Sequence, residues 1–161
     1  GFKGVGLRYM NVYGARQDYR GTYIAVIMKI LDNIDAGRPP VVFGDGSQAY
    51  DFIYVSDTAA ANVCALKSDV PFGYYNVGRG IKTSIRELTE LILRITGSKQ
   101  PIHYEPAGQT FVTNRIGDPS AAARDLGFTW SVDLEEGLRR LIAWRRDHIR
   151  EVEQRRQNAQ P

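Results

Sequence analysis

Apolar positions along this chain fall into short runs with two alternating spacings. "VGLR" from Val5 to Arg8 is short, apolar and followed by a turn-rich stretch, and reads as a strand. Asn11 to Gly21 reads as a loop. Apolar residues then recur at Ile24, Ile27, Ile30, Leu31 and Ile34, which is helical spacing closed by Gly37 and then by Pro39 and Pro40. Val41 to Phe43 reads as a strand ending at Gly44-Asp45-Gly46. Phe52 to Val55 is a second strand, and its unbroken apolar character predicts burial on both faces, as in a parallel sheet. Ser56 or Asp57 is placed to cap the helix "TAAANVCALKS". Tyr74 to Gly78 is a strand running into a glycine turn. Thr83 or Ser84 caps a helix through Ile85, Leu88, Leu91, Ile92 and Ile95, with Glu87 completing a capping box on Ser84. "PIHY" is a short strand. Asp118 or Ser120 opens a helix that stops at Gly127, and Asp133 caps a last helix running from Leu134 through Val152. From about residue 151 the tail is expected to fray.

Strands that alternate with helices predict α/β layering. Two strands buried on both faces need helices above and below them and neighbouring strands beside them. The chain supplies few of those neighbours, so the sheet is expected to have an open margin. An element that starts within a few residues of Gly1 adds the expectation that this is a portion of something longer.

The 161 residues are enough for one domain that buries roughly 70% of its unfolded surface. No apolar run approaches the ~20 residues of a membrane span, and no basic segment followed by a long apolar one opens the chain. The net charge is +3, and the arginines of the last helix are interleaved with Glu135, Glu136, Asp147, Glu151 and Glu153. That pattern is an ion-paired, solvated face rather than a nucleic-acid surface. Cys64 is the one cysteine and sits in an apolar run, and there are two histidines. This excludes an internal disulfide and a Cys/His metal site, and fits a reducing cytoplasm.

Three stretches carry candidate chemistry. Asn11 lies just past the first strand, where open α/β sheets bind ligands, and its amide suits a sugar hydroxyl or phosphate oxygen; it could equally serve only its own turn. "FGDGSQAYDF" places two glycines where backbone can approach a flat ligand, or where a plain hairpin turns. "YNVGRG" is a further glycine turn that lacks a dinucleotide fingerprint.

Taken in order, "LRYMNVYGARQD" (7–18), "YIAVIMKIL" (23–31), "GRPPVVFGDGSQAYDFIYVSD" (37–57), "ANVCAL" (61–66), "YYNVGRGIKTSIREL" (74–88), "GDPSAAARDLGF" (117–128) and "LEEGLRRLIAW" (134–144) resemble the C-terminal half of the extended short-chain dehydrogenase/reductases. The resemblance is to their NAD-dependent nucleotide-sugar epimerases and dehydratases, of UDP-glucose 4-epimerase type. It implies the last strands of a Rossmann-type parallel sheet plus a small α/β substrate-binding domain. It also implies a UDP-sugar as the most favoured ligand, NAD held by an N-terminal half, and no membrane or nucleic-acid partner. By position, Asn11 is implied on the diphosphate side, Ala25, Val26, Val41 and Phe43 around the base, and Tyr9 near the nicotinamide. Two arginines of the family hold the diphosphate. The place of the first is taken by Tyr50. The second, from an Arg-x-Gly-Asp run, is read as displaced, with Arg115 nearby as its substitute; guanidinium forks suit phosphates.

The family's chemistry also requires a glycine-rich pyrophosphate loop and a Tyr-x-x-x-Lys pair. The first is absent from this sequence, and none of its nine tyrosines has a lysine four residues on. The chain alone is therefore expected to be catalytically silent. In the intact protein the implied reaction is hydride transfer from a sugar carbon to NAD. The alternative is a non-catalytic module that binds a nucleotide sugar or another protein.

Overall fold

The computed structural model describes residues 4–17, 26–107 and 113–157. Its elements run β1 (Gly4–Tyr9), β2 (Asn11–Tyr13), α1 (Val26–Asp35), β3 (Val41–Phe43), β4 (Ala49–Tyr50), β5 (Phe52–Tyr54), α2 (Val55–Lys67) and β6 (Phe72–Val77). They continue with β7 (Thr83–Ser84), α3 (Ile85–Thr96), β8 (His103–Glu105), β9 (Asn114–Arg115), α4 (Ser120–Leu126), α5 (Leu134–Asp147) and α6 (Ile149–Gln157). Four parallel pairings define the sheets: β1 with β6, β2 with β5, β3 with β8, and β4 with β9; β4 also pairs antiparallel with β7. At Met10 the chain passes from one partner to the other, its amide donating to Val77 O while that of Asn11 donates to Asp51 O.

Side chains alternate across a strand, and β5 uses both of its faces. Phe52 and Tyr54 enter one apolar core with α1, α3, α5 and Val152 of α6. Ile53 enters a second core with Val77, Ala61 and Phe128. This is the two-sided burial that the sequence predicts for that strand. β1 differs. Val5 and Leu7 join the second core, but the opposite face carries Gly6 under the ring of Tyr74, with Phe72 beside it in edge-to-face contact. Phe72 and Tyr74 are 63% and 64% exposed. Among the described residues β1 and β6 pair only with each other, so one face of this pair stands bare and neither outer rim, that of β1 included, carries a further strand.

Several local expectations change. Asn11–Tyr13 is a strand, where a loop is expected. The hairpin reading of Gly44-Asp45-Gly46 fails, because β3 pairs with β8 and not with the strand that follows the turn. Neither Ser56 nor Asp57 caps α2, which starts at Val55. Asp57 is instead buried and accepts Ser131 Oγ at 2.7 Å and the Val132 amide at 3.0 Å, tying α2 to the approach to α5. The last helix divides at His148, whose φ/ψ of −121°/36° is not helical. The tail expected to fray from about residue 151 is helical to Gln157, with Val152 fully buried.

The caps on α3 and α5 are as predicted. Asp133 accepts from the Glu136 amide at 2.8 Å. Ser84 Oγ accepts from the Glu87 amide at 3.1 Å, while Glu87 Oε2 accepts the Ser84 amide at 2.7 Å. Bonds from the Ser84 amide and hydroxyl hold the Glu87 carboxyl below its ordinary range. A lowered carboxyl stabilises the fold above its unfolded pKa, and that contribution is lost as pH falls through the folded pKa. Glu87→Ala should therefore cost about 0.5–1 kcal/mol at neutral pH, small because the pair is exposed. The difference from wild type should vanish in strong acid, as urea melts at the two pH values will show.

Candidate functional site

The carboxyl ends of β1, β4, β6 and β9 come together at Asp51, a fully buried residue between β4 and β5, where β2 and β5 begin. Its four polar contacts organise the region. The backbone carbonyl accepts from the Asn11 amide at 2.9 Å, and its own amide donates to Arg115 O at 2.9 Å. Its carboxylate accepts the amides of Arg79 and Gly80, each at 2.9 Å, through Oδ1 and Oδ2. The glycine turn after β6 is thus locked to the end of β4. Gly78 makes this possible, since a Cβ there would lie 2.3 Å from Asp51 Oδ2 and 2.6 Å from Met10 Cγ.

This hub brings together three residues that the sequence singles out. Asn11 bonds to the backbone of Asp51. Tyr50 directly precedes it. Arg115 is the register partner of Tyr50 across β4 and β9, and partners in a parallel pair present their side chains to one face. Tyr50 is half-buried with its ring edge-on to Phe52 at 6.2 Å, whereas Arg115 is exposed. Residues 115–118 read Arg-Ile-Gly-Asp, so Arg115 itself opens the run from which it is expected to be displaced. That expectation is corrected: the Arg-x-Gly-Asp run is present, with Arg115 at its head.

Val26 is half-buried at the start of α1 and packs on the same core as Tyr50. Ala25 lies outside the described residues. Val41 and Phe43 belong to β3, half-buried and 48% exposed respectively. The turn beyond them is braced from inside. Gly44 and Gly46 take φ of 67° and 73°, Gln48 Nε2 donates to Phe43 O at 2.9 Å, and Arg86 Nε donates to Asp45 O at 3.2 Å. Tyr9 stands apart on β1, its hydroxyl donating to Asn62 Oδ1 of α2 at 2.9 Å.

Sequence reasoning assigns no role to Asp51 or Tyr13. Tyr13 is buried, and its hydroxyl donates to Leu134 O at 3.3 Å. Burial drives its phenol well above the ordinary range, with Arg79 only partly opposing. Arg79 is itself buried and lies over the Trp130 ring, 5.1 Å from the centroid.

A dinucleotide needs backbone amides presented to its pyrophosphate. The amides of Arg79 and Gly80, in the glycine loop best placed by topology, are already committed to Asp51. That turn therefore does not fit a dinucleotide cradle.

Comparison with known proteins covers the part of the chain that carries Asn11, Tyr50 and Asp51 with a family model, and nearly the whole chain with individual relatives. Residues 1–78 match the family model of the NAD dependent epimerases/dehydratases. A putative UDP-glucose 4-epimerase of Methanocaldococcus jannaschii is 37% identical over 146 residues, which are 89% of this chain and 46% of that protein. The crystal structure of UDP-glucose 4-epimerase with UDP-glucose from Thermotoga maritima is 33% identical with a TM-score of 0.85, over 91% of this chain and 47% of that one. A mutant UDP-glucuronic acid 4-epimerase of Bacillus cereus, solved with a fluorinated UDP-sugar and NAD, is 25% identical with a TM-score of 0.80, over 89% of this chain and 44% of that one. The chain spans about half the length of the curated relatives that it matches. Its α/β architecture of parallel strand pairs matches their Rossmann-like folds. No helix among the described residues is long and apolar enough to cross a membrane.

Proposed function

We propose that this chain is the nucleotide-sugar-binding part of an NAD-dependent sugar-nucleotide epimerase or dehydratase, silent in catalysis until a dinucleotide-binding half is beside it. The observation that carries this is the hub at Asp51, which gathers Asn11, Tyr50 and Arg115 where β1, β4 and β9 end, and carboxyl ends of strands are where such sheets bind ligands. The matched family and the UDP-sugars held by its solved relatives favour a UDP-sugar. In this reading the Asn11 amide and the Arg115 guanidinium take the diphosphate, and Tyr50 adds a hydroxyl donor where a second cation would otherwise sit. Val26, Val41 and Phe43 border the base. Tyr9, on the strand with the bare rim, faces the cofactor side. The cofactor supplies redox chemistry; the residues of this chain hold and orient the sugar.

Calorimetric titration of the chain with UDP and with NAD tests the binding half of the proposal. UDP should bind, and NAD should bind weakly or not at all. Mixing the chain with a dinucleotide-binding half of the same family should give NAD-dependent turnover of a UDP-sugar. No turnover of any UDP-, GDP- or dTDP-sugar in that mixture would overturn the enzymatic reading.

A further inference from the structure

The C-terminal helix reaches back to the strand that carries Asn11. Arg155 of α6 donates from Nη1 to the carbonyl of Arg16 at 3.0 Å, while its Nε and Nη2 hold Glu151 Oε1 at 3.2 and 2.9 Å. The guanidinium is thus fixed on its own helix and offers another nitrogen to the backbone that leaves β2. Arg16 is unusual in its own right. Among the described residues it is the one non-glycine with positive φ, at 63°. A side chain in the left-handed region is sterically costly and persists where its surroundings hold it, and here the bond from Arg155 falls on its carbonyl. One residue on, Arg156 donates to Asp32 of α1 at 2.7 Å, and buried Arg145 of α5 donates to the same carboxylate oxygen at 2.7 Å. Val152 anchors α6 in the core between these contacts.

We infer that α6 is a brace for the nucleotide-sugar site, with Arg155 as its positioning residue. By gripping Arg16 on one side and α1 on the other, it sets the exit of β2, and so the placement of Asn11 against Asp51. This rests on the reading of Asn11 as a ligand contact. Arg155 itself touches no ligand; it acts through the backbone of Arg16.

Three variants of the chain test the brace: Arg155→Ala, Arg155→Lys and Glu151→Gln. Hydrogen exchange, thermal melting and titration with UDP are read for each. Arg155→Ala should raise exchange in peptides spanning residues 10–17 by about threefold or more and weaken UDP binding by about three- to tenfold, with little change in melting temperature. Arg155→Lys, which keeps one donor, should recover most of both losses. Glu151→Gln, which keeps the bond to Arg16, should stay near wild type. Unchanged exchange at 10–17 in Arg155→Ala overturns the brace, as does faster exchange spread evenly over α1, α5 and α6 with a lowered melting temperature. Absence of UDP binding by the wild type would count against the site, while the exchange arm still decides the brace.

Discussion

Asp51→Ala should lower the unfolding free energy by about 3–5 kcal/mol. The carboxylate is fully buried and accepts two amides, from Arg79 and Gly80. A bond to an ionised acceptor contributes about 1.5–3 kcal/mol, and a buried amide left unpaired keeps its desolvation cost. Because the turn after β6 loses its anchor while β4 and β5 remain paired, the chain should still fold at low temperature, with its urea midpoint shifted and its slope unchanged. Asp51→Asn keeps one acceptor oxygen and should cost roughly half as much. A shift in melting temperature below about 2 °C for Asp51→Ala, on the scale of 2–4 °C per kcal/mol for a chain of this size, would show that the hub does not organise the region.

Arg115→Ala should weaken UDP binding about 10- to 100-fold, because one guanidinium–phosphate contact is a charge-assisted bond of about 1.5–3 kcal/mol. Arg115 is exposed and joins β9 to β4 through its backbone, which alanine keeps. Its removal should therefore leave stability within about 0.5 kcal/mol of wild type. Arg94→Ala, which removes a surface pair with Glu135, is the matched loss of one positive charge and should leave UDP affinity within about twofold. Equal losses in the two variants would reduce the effect to net charge. An unchanged affinity in Arg115→Ala would remove the guanidinium from the site. Tyr50→Arg places a second cation in register with the first, and should tighten UDP binding and steepen its dependence on salt.

How much of this could be read from residues alone varies with the range of the interaction. β3 falls on Val41–Phe43 as predicted, and the Ser84–Glu87 and Asp133 caps are correct, because each is fixed by neighbours within a few positions. β4, β7 and β9 are two residues long, too short to show any alternation. The break at His148 has no proline or glycine to announce it, and Ile149 and Val152 continue the apolar spacing across it. Asp57 looks like a cap by position, but its partners are 74 and 75 residues away.

The candidate site shows the same division. Asn11, Tyr50 and Arg115 stand out through their places in an ordered set of motifs. That they meet is decided by strand pairings joined at the backbone of Asp51, to Asn11 and to Arg115, while its carboxylate adds the turn at Arg79 and Gly80, 28 and 29 residues distant. No local spacing encodes that pairing. Gly78 is its one visible trace, a position where any side chain would collide with the carboxylate.

Phe72 and Tyr74, lying in the open over Gly6, have a thermodynamic meaning as well as a geometric one. Whatever settles against them when the chain is folded, and leaves when it is unfolded, enters the folding equilibrium by mass action. If the proposed dinucleotide-binding half settles there, the melting point of this polypeptide should climb with the concentration of that half.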